Sequence, residues 1–202
     1  MPEIRIDRAY LIARLAELVG INSINPSLVP GAPGETAVAA HMGACLRALG
    51  LEVETFEPDP GRPSVLGRLR GGGGGRSLML NGHLDTVGVE GMAAPFTAVV
   101  RDGRLYGRGA FDMKGSLAAC LAAVEAIRRS GARLAGDLLL AAVADEEYAS
   151  LGTAEIARRI RTDGAIVTEA TGLDICLAHK GFVWLEVETI GRAAHGSRFE
   201  LG

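Results

Sequence analysis

Four acidic stretches in this 202-residue chain fall where the sequence predicts β-strands to end. They are His83-Leu84-Asp85, Asp112 within Gly107 to Gly115, Asp145-Glu146-Glu147, and Glu169. In an open α/β sheet the carboxyl ends of the strands line one crevice, and ligands bind there. One imidazole gathered with several carboxylates in such a crevice makes a site for hard or borderline divalent cations.

Each stretch has its own chemistry. His83 and Asp85 are two residues apart, so on extended backbone their side chains point the same way. A metal-bound imidazole passes its other ring N–H to a carboxylate; Asp85 is either that carboxylate or a ligand itself. Asp112 precedes a predicted helix, whose N-terminal amides favour an anion. A helix cap is the plainer reading of Asp112. The surrounding Gly107, Gly109 and Gly115, which permit unusual turns, favour a carboxylate held where it can reach two cations. Glu146 and Glu147 are adjacent and cannot both point at one atom. One suits a metal and the other a proton, general-base help being worth about a hundred- to ten-thousand-fold in rate. Taken alone, that pair reads as a solvated acidic loop. His195, in Gly191 to Ser197, has small neighbours that leave its ring accessible, its plain alternative being a surface histidine. His41 and His179 are assigned to structure or solvent.

The elements that must position these groups follow from periodicity and punctuation. Asp7 is placed to cap a helix over residues 8–19, and a second helix runs from Glu35 to Leu49. Strands are predicted around Leu51 to Thr55, Val65 to Leu69 and Ser77 to Asn81. Gly71 to Gly75 lacks the Lys-Ser/Thr of a phosphate loop and reads as the turn of a hairpin between two of them. Asp102-Gly103 marks another hairpin. A helix spans Gly115 to Ser130, a strand buried on both faces spans Asp137 to Ala144, and a helix spans Thr153 to Arg161. Ala165 to Thr168 is predicted as a further buried strand, and Asp174 to Ala178 as another. This alternation indicates an α/β fold with a mostly parallel sheet flanked by helices.

The pattern then changes. Phe182, Trp184, Glu186 and Glu188 alternate with Val183, Leu185 and Val187, as in an amphipathic strand opening a second, sandwich-like unit. The expected division is a metal-binding domain over 1–178 and the beginning of a second unit over 179–202. On this reading the chain is the N-terminal part of a longer protein.

Composition removes several classes. A net charge of −3, with scattered arginines, leaves no electrostatic footprint for nucleic acid. No apolar run approaches the ~20 residues of a membrane span, and the N-terminus lacks a signal-peptide core. Cys45, Cys120 and Cys176 are far apart and odd in number and sit among Ala and Leu, which argues for buried reduced thiols and a cytoplasmic location.

Together these motifs resemble the di-zinc amidohydrolases and exopeptidases that include acetylornithine deacetylase, succinyl-diaminopimelate desuccinylase, aminoacylase and glutamate carboxypeptidase. The carrying segments are Asn81 to Val87, Gly107 to Gly115, Asp145-Glu146-Glu147 and Gly191 to Ser197. The resemblance implies that His83 and Glu169 hold one zinc and Glu147 the other. It makes Asp112 a bridge between them, often followed by a cis peptide bond, with Glu146 as general base and Asp85 as the carboxylate orienting His83. Residues 1–178 become the catalytic domain, and 179–202 the start of an α+β lid or dimerisation domain. His195 becomes a lid-domain histidine that stabilises the oxyanion in the partner's site of a homodimer. The second zinc is completed in such enzymes by a histidine from the far C-terminal part of the catalytic domain. This chain holds no counterpart, so residues 1–202 alone are expected to be inactive.

The implied cofactors are two divalent cations, zinc first, with cobalt or manganese as alternatives. The implied substrate is a small N-acyl amino acid or peptide. Rival readings are a dipeptidase or carbamoyl-amide hydrolase on the same scaffold, and a non-catalytic dimerising or peptide-binding relative. Two departures are visible: Phe199 stands where proline is common, and Glu90 to Ala94 lacks a frequent tryptophan.

Overall fold

The first helix, α1 (Arg8–Gly20), starts where Asp7 Oδ1 accepts the backbone N–H groups of Ala9 and Tyr10, as its capping position predicts. In the computed structural model, which describes residues 3–178, 181, 183, 185–188 and 190–202, the chain divides into two units, Met1–Ala170 and Thr171–Gly202.

The first unit holds a mixed five-stranded sheet. Its strands are β1 (Glu52–Phe56), β2 (Ser64–Leu69), β3 (Leu78–His83), β6 (Leu138–Val143) and β7 (Gly164–Val167), in the order β1-β2-β6-β3-β7. The β6/β3 and β3/β7 pairings are parallel, whereas β1/β2 and β2/β6 are antiparallel. The parallel part therefore brings the carboxyl ends of β6, β3 and β7 side by side. A small separate hairpin pairs β4 (Val99–Arg101) with β5 (Arg104–Tyr106), and both turn residues, Asp102 and Gly103, have positive φ.

Strand β6 shows why its sequence is an unbroken apolar run. Leu138, Leu140 and Ala142 pack with Leu18, Met42, Leu46, Leu117 and Leu121, drawn from α1, α2 (Thr36–Ala48) and α3 (Lys114–Ser130). The alternate residues Leu139, Ala141 and Val143 pack on the other face with Phe56, Leu66, Met79 and Ile156, the last from α4 (Leu151–Arg159). Two apolar layers thus close on one strand, each fully buried Leu or Val contributing about 1.5–3 kcal/mol.

Three local expectations give way to tertiary pairing. Strand β2 does not pair with β3, because β6 lies between them; Gly71 to Gly75 is a crossing link and not a hairpin turn. Two of its glycines serve close approach: a Cβ on Gly71 would stand 2.4 Å from the Gly136 carbonyl oxygen, and one on Gly75 2.5 Å from Ala135 Cβ. Strand β7 is not buried on both faces. Among the described residues it is an edge strand paired only with β3, and Ile166 and Val167 are exposed. Asp174 to Ala178 forms no strand, Leu173, Ile175 and Leu177 are exposed, and Cys176, lacking a sheet to cover it, is exposed while Cys45 and Cys120 are buried.

Among the described residues of the second unit the regular structure is one 3₁₀ turn, Phe199–Leu201. Val183, Leu185 and Val187 are exposed and outside any strand there. A strand needs a paired neighbour for its backbone groups, and the described part of this unit offers none. Phe182, Trp184, His179 and Lys180 lie outside the described residues.

Candidate metal centre

His83 is the last residue of β3, opposite Val143 near the end of β6, and its ring is buried. Its Nδ1 lies 2.9 Å from the backbone oxygen of Asp85 and 3.5 Å from Asp85 Oδ1. That fixes the ring, so Nε2 points out of the sheet. Around Nε2 stand Asp112 Oδ1 at 3.0 Å, Glu146 Oε2 at 3.7 Å and Glu169 Oε1 at 3.7 Å. Ligand atoms of His83, Asp112 and Glu169 all lie within 4.8 Å of one another.

Each carboxylate arrives on a different element. Asp112 sits just before α3 and does not cap it; its oxygen goes to His83, and the Asp112–Met113 peptide bond is cis. Gly109, with φ of +75°, makes room in this turn, since a Cβ there would stand 2.9 Å from Thr86 Cγ2 and 3.0 Å from Lys114 Cδ. Thr168 continues the β7 path by donating its N–H to the Asn81 oxygen, so that Glu169 emerges beside His83. Glu146 and Glu147 follow β6 through Asp145, whose φ is +65°.

Asp85 ties these strands together. It is fully buried; Oδ1 accepts the N–H of Glu146 and Oδ2 the N–H of Glu147, both at 3.1 Å. Burial works against its charge, but His83, Asn25 and these amides hold its carboxyl below the ordinary range.

The rim electrostatics are those of an anion cluster around one cation. Burial opposes the imidazolium of His83, yet Asp112 and Asp85, with Glu146 behind them, push its pKa up to about 11. The hydrogen bond to His83 holds Asp112 down. Burial, reinforced by Asp112, Asp85 and Glu146, pushes Glu147 up to about 7, while Glu169 is raised by burial first and then by Asp112 and Glu146. A donor set of one imidazole nitrogen and several mutually repelling carboxylate oxygens fits divalent cations, which neutralise that repulsion directly. His195 belongs to the second unit, where its Nδ1 lies 2.9 Å from Ser197 Oγ.

Beneath the rim lies a buried polar network that the sequence reading passes over. Arg62 donates through Nε and Nη2 to both oxygens of Glu35, and through Nη2 to Asp145 Oδ1, all at 2.7–2.8 Å. Asn25 donates to Asp85 Oδ2 at 2.7 Å and Asp145 Oδ1 at 3.0 Å. Despite its burial, Glu35 and Asp145 hold the Arg62 guanidinium well above its ordinary pKa. Lys114, fully buried, donates Nζ to the Ile21 oxygen at 2.7 Å, and burial pulls its pKa down to about 7. Loop segments supply Asn25 and Arg62, and nothing in their neighbours announces a partner. Lys114 alone carried a signal: it is one of two lysines in an arginine-rich chain.

Comparison with known proteins places the chain. Residues 79–191 match the family described as Peptidase family M20/M25/M40. The chain is 34% identical over 179 residues to an N-formyl-4-amino-5-aminomethyl-2-methylpyrimidine deformylase of Bacillus subtilis, covering 84% of this chain and 42% of that protein. It is 34% identical over 194 residues to an acetylornithine deacetylase of Photorhabdus laumondii, covering 92% of this chain and 49% of that protein. A tripeptidase from Staphylococcus aureus has a similar structure, with a TM-score of 0.65 at 25% identity, over 80% of this chain and 44% of that one. The chain thus spans about half or less of the length of these relatives. It belongs to the peptidase family M20/M25/M40.

Proposed function

We propose that the protein carrying this chain is a metal-dependent hydrolase of amide bonds, acting on a small N-acyl amino acid or on a peptide. The observation that carries this reading is the convergence of Asp112, Glu146 and Glu169 on Nε2 of His83. Family membership supports hydrolysis, and the names of the deformylase and deacetylase relatives favour removal of a short acyl group from nitrogen.

In this reading His83 and Glu169 would hold one divalent cation, Glu147 would contribute to a second, and Asp112 would serve both. Zinc is the first choice, with cobalt or manganese as alternatives. When bound, such cations polarise a carbonyl and acidify water. The chain's own residues do the rest. Asp85 fixes the His83 ring and, through two amides, the backbone that carries both glutamates. Glu146 takes the proton of the attacking water and returns it to the leaving amine nitrogen. His195, supplied by the partner subunit of a homodimer, donates to the oxyanion of the tetrahedral intermediate. Three free cysteines accord with a cytoplasmic location.

Role separation is the test. In the full protein, Glu146→Gln keeps its metal and loses about a hundredfold or more in turnover, whereas Asp112→Ala lowers metal content itself. An empty metal site in Glu146→Gln with turnover largely retained overturns the assignment. A panel of N-formyl, N-acetyl and N-succinyl amino acids against di- and tripeptides decides the substrate class. Mixing His195→Ala with Glu146→Gln subunits restores one working site only if the histidine acts across a dimer.

A further inference from the structure

We propose that Glu17, His41 and Cys45 form a second, separate binding site for a borderline divalent cation such as Zn²⁺, built between α1 and α2. It shares no residue with the centre at the strand ends. His41 and Cys45 stand four residues apart on α2, so they share one helix face, and Glu17 reaches them from α1. Their ligand atoms all lie within 4.8 Å of one another.

The distances suit one central cation. Zinc bond lengths of ~2.3 Å to sulfur and ~2.0–2.2 Å to nitrogen and oxygen, at tetrahedral angles, put S and N about 3.6 Å apart and N and O about 3.4 Å apart. Cys45 Sγ lies 3.5 Å from His41 Nε2, and Glu17 Oε2 lies 3.1 Å from that same nitrogen. The carboxylate is aimed by its other oxygen: Arg14 Nη2 donates to Oε1 at 2.6 Å. That leaves Oε2 buried, facing His41, and without a hydrogen bond.

A thiol-histidine-acid nucleophile is the competing arrangement, and the geometry disfavours it. Such a relay needs the acid on one ring nitrogen and the thiol on the other. Here Nε2 faces both, which is the convergence a cation requires. One sulfur, one nitrogen and one oxygen form a donor set of intermediate softness, and three protein ligands leave a fourth position for water. Burial raises the Cys45 pKa, with Arg14 pulling it the other way, so binding releases a proton and tightens as pH rises.

Cobalt(II) gives a readout that the other centre does not share, because the residues proposed there offer only nitrogen and oxygen. Adding Co²⁺ to the metal-depleted full protein is expected to produce near-ultraviolet thiolate-to-cobalt charge transfer whose final amplitude corresponds to one cobalt–thiolate bond per chain. Cys45→Ser abolishes the band, and His41→Gln and Glu17→Gln each weaken cobalt binding about tenfold or more. Asp112→Ala leaves the band in place. Glu17 is 38% exposed in its side chain, so its variant keeps the test open should Cys45→Ser fail to fold. No charge-transfer band at excess cobalt overturns the proposal. So does a band that survives in folded Cys45→Ser, whose source is then another cysteine.

Discussion

The rim and the floor of the strand-end crevice are built from the same residue types but meet different partners. At the rim, carboxylates from separate elements converge on one imidazole, and Glu147 and Glu169 are raised because burial and like charge both oppose their ionisation. On the floor, Glu35, Asp85 and Asp145 are more deeply buried, and burial raises Glu35 as well; here, though, the partners are Arg62, Asn25 and backbone amides. Apart from the buried Oδ2 of Asp145, the acids of the floor are matched by protein donors; those of the rim would be matched by the cations proposed above. That difference separates what the fold needs from what the reaction needs.

The largest blow to this contrast comes from removing the guanidinium that holds the floor's acids. Arg62→Met leaves Glu35 and Asp145 buried without their main partner, so unfolding free energy is expected to fall by about 3–5 kcal/mol. Chemical denaturation of the metal-free variant measures it. A loss under 1 kcal/mol, as for ~0–1 kcal/mol surface pairs, would place Arg62 with the rim. Asn25→Ala comes next, at about 1–3 kcal/mol, because one amide serves both Asp85 and Asp145. It should also weaken metal binding through Asp85, which calorimetric titration with Zn²⁺ would register.

Rim effects run the other way. Glu147 is raised from 4.5 to about 7, so its ionisation above pH 4.5 progressively disfavours the folded state until about pH 7. His83 is raised from 6.5 to about 11, so its contribution is whole below pH 6.5 and gone once pH passes 11. Both shifts make the metal-free protein less stable as pH rises. Its melting temperature should therefore fall between about pH 5 and about pH 7, above which the depressed Lys114 offsets His83, and added Zn²⁺ should reverse that slope, since cations bind deprotonated ligands. A flat metal-free profile would remove the distinction. The smallest effect is expected for Glu169→Gln, which relieves repulsion: melting of the metal-free protein should not drop, while zinc affinity does.

The rim was legible in the sequence because its residues sit at strand ends. An apolar run such as Leu138 to Val143 followed by three acids marks both a strand and a mouth. The floor was not, since Asn25 and Arg62 lie in loops and meet Asp145 from 120 and 83 residues away. Only the strand order, with β6 inserted between β2 and β3, brings them together. The same insertion defeated the hairpin reading of Gly71 to Gly75, and the exposure of β7 reflects its edge position, which composition does not encode. His41 and Cys45 were dismissed singly; their meaning depends on Glu17 from another helix.

The two amides that Asp85 accepts have a consequence for time rather than energy. Glu146 has a side chain 40% open to water, yet its N–H and that of Glu147 end on a fully buried carboxylate. Deuterium should enter these two positions late, at the pace of sub-global opening, while the acidic groups a few bonds away trade protons freely with solvent. The turn thus presents fast chemistry on a slow backbone, and an isotope clock would read the two rates at the same residue.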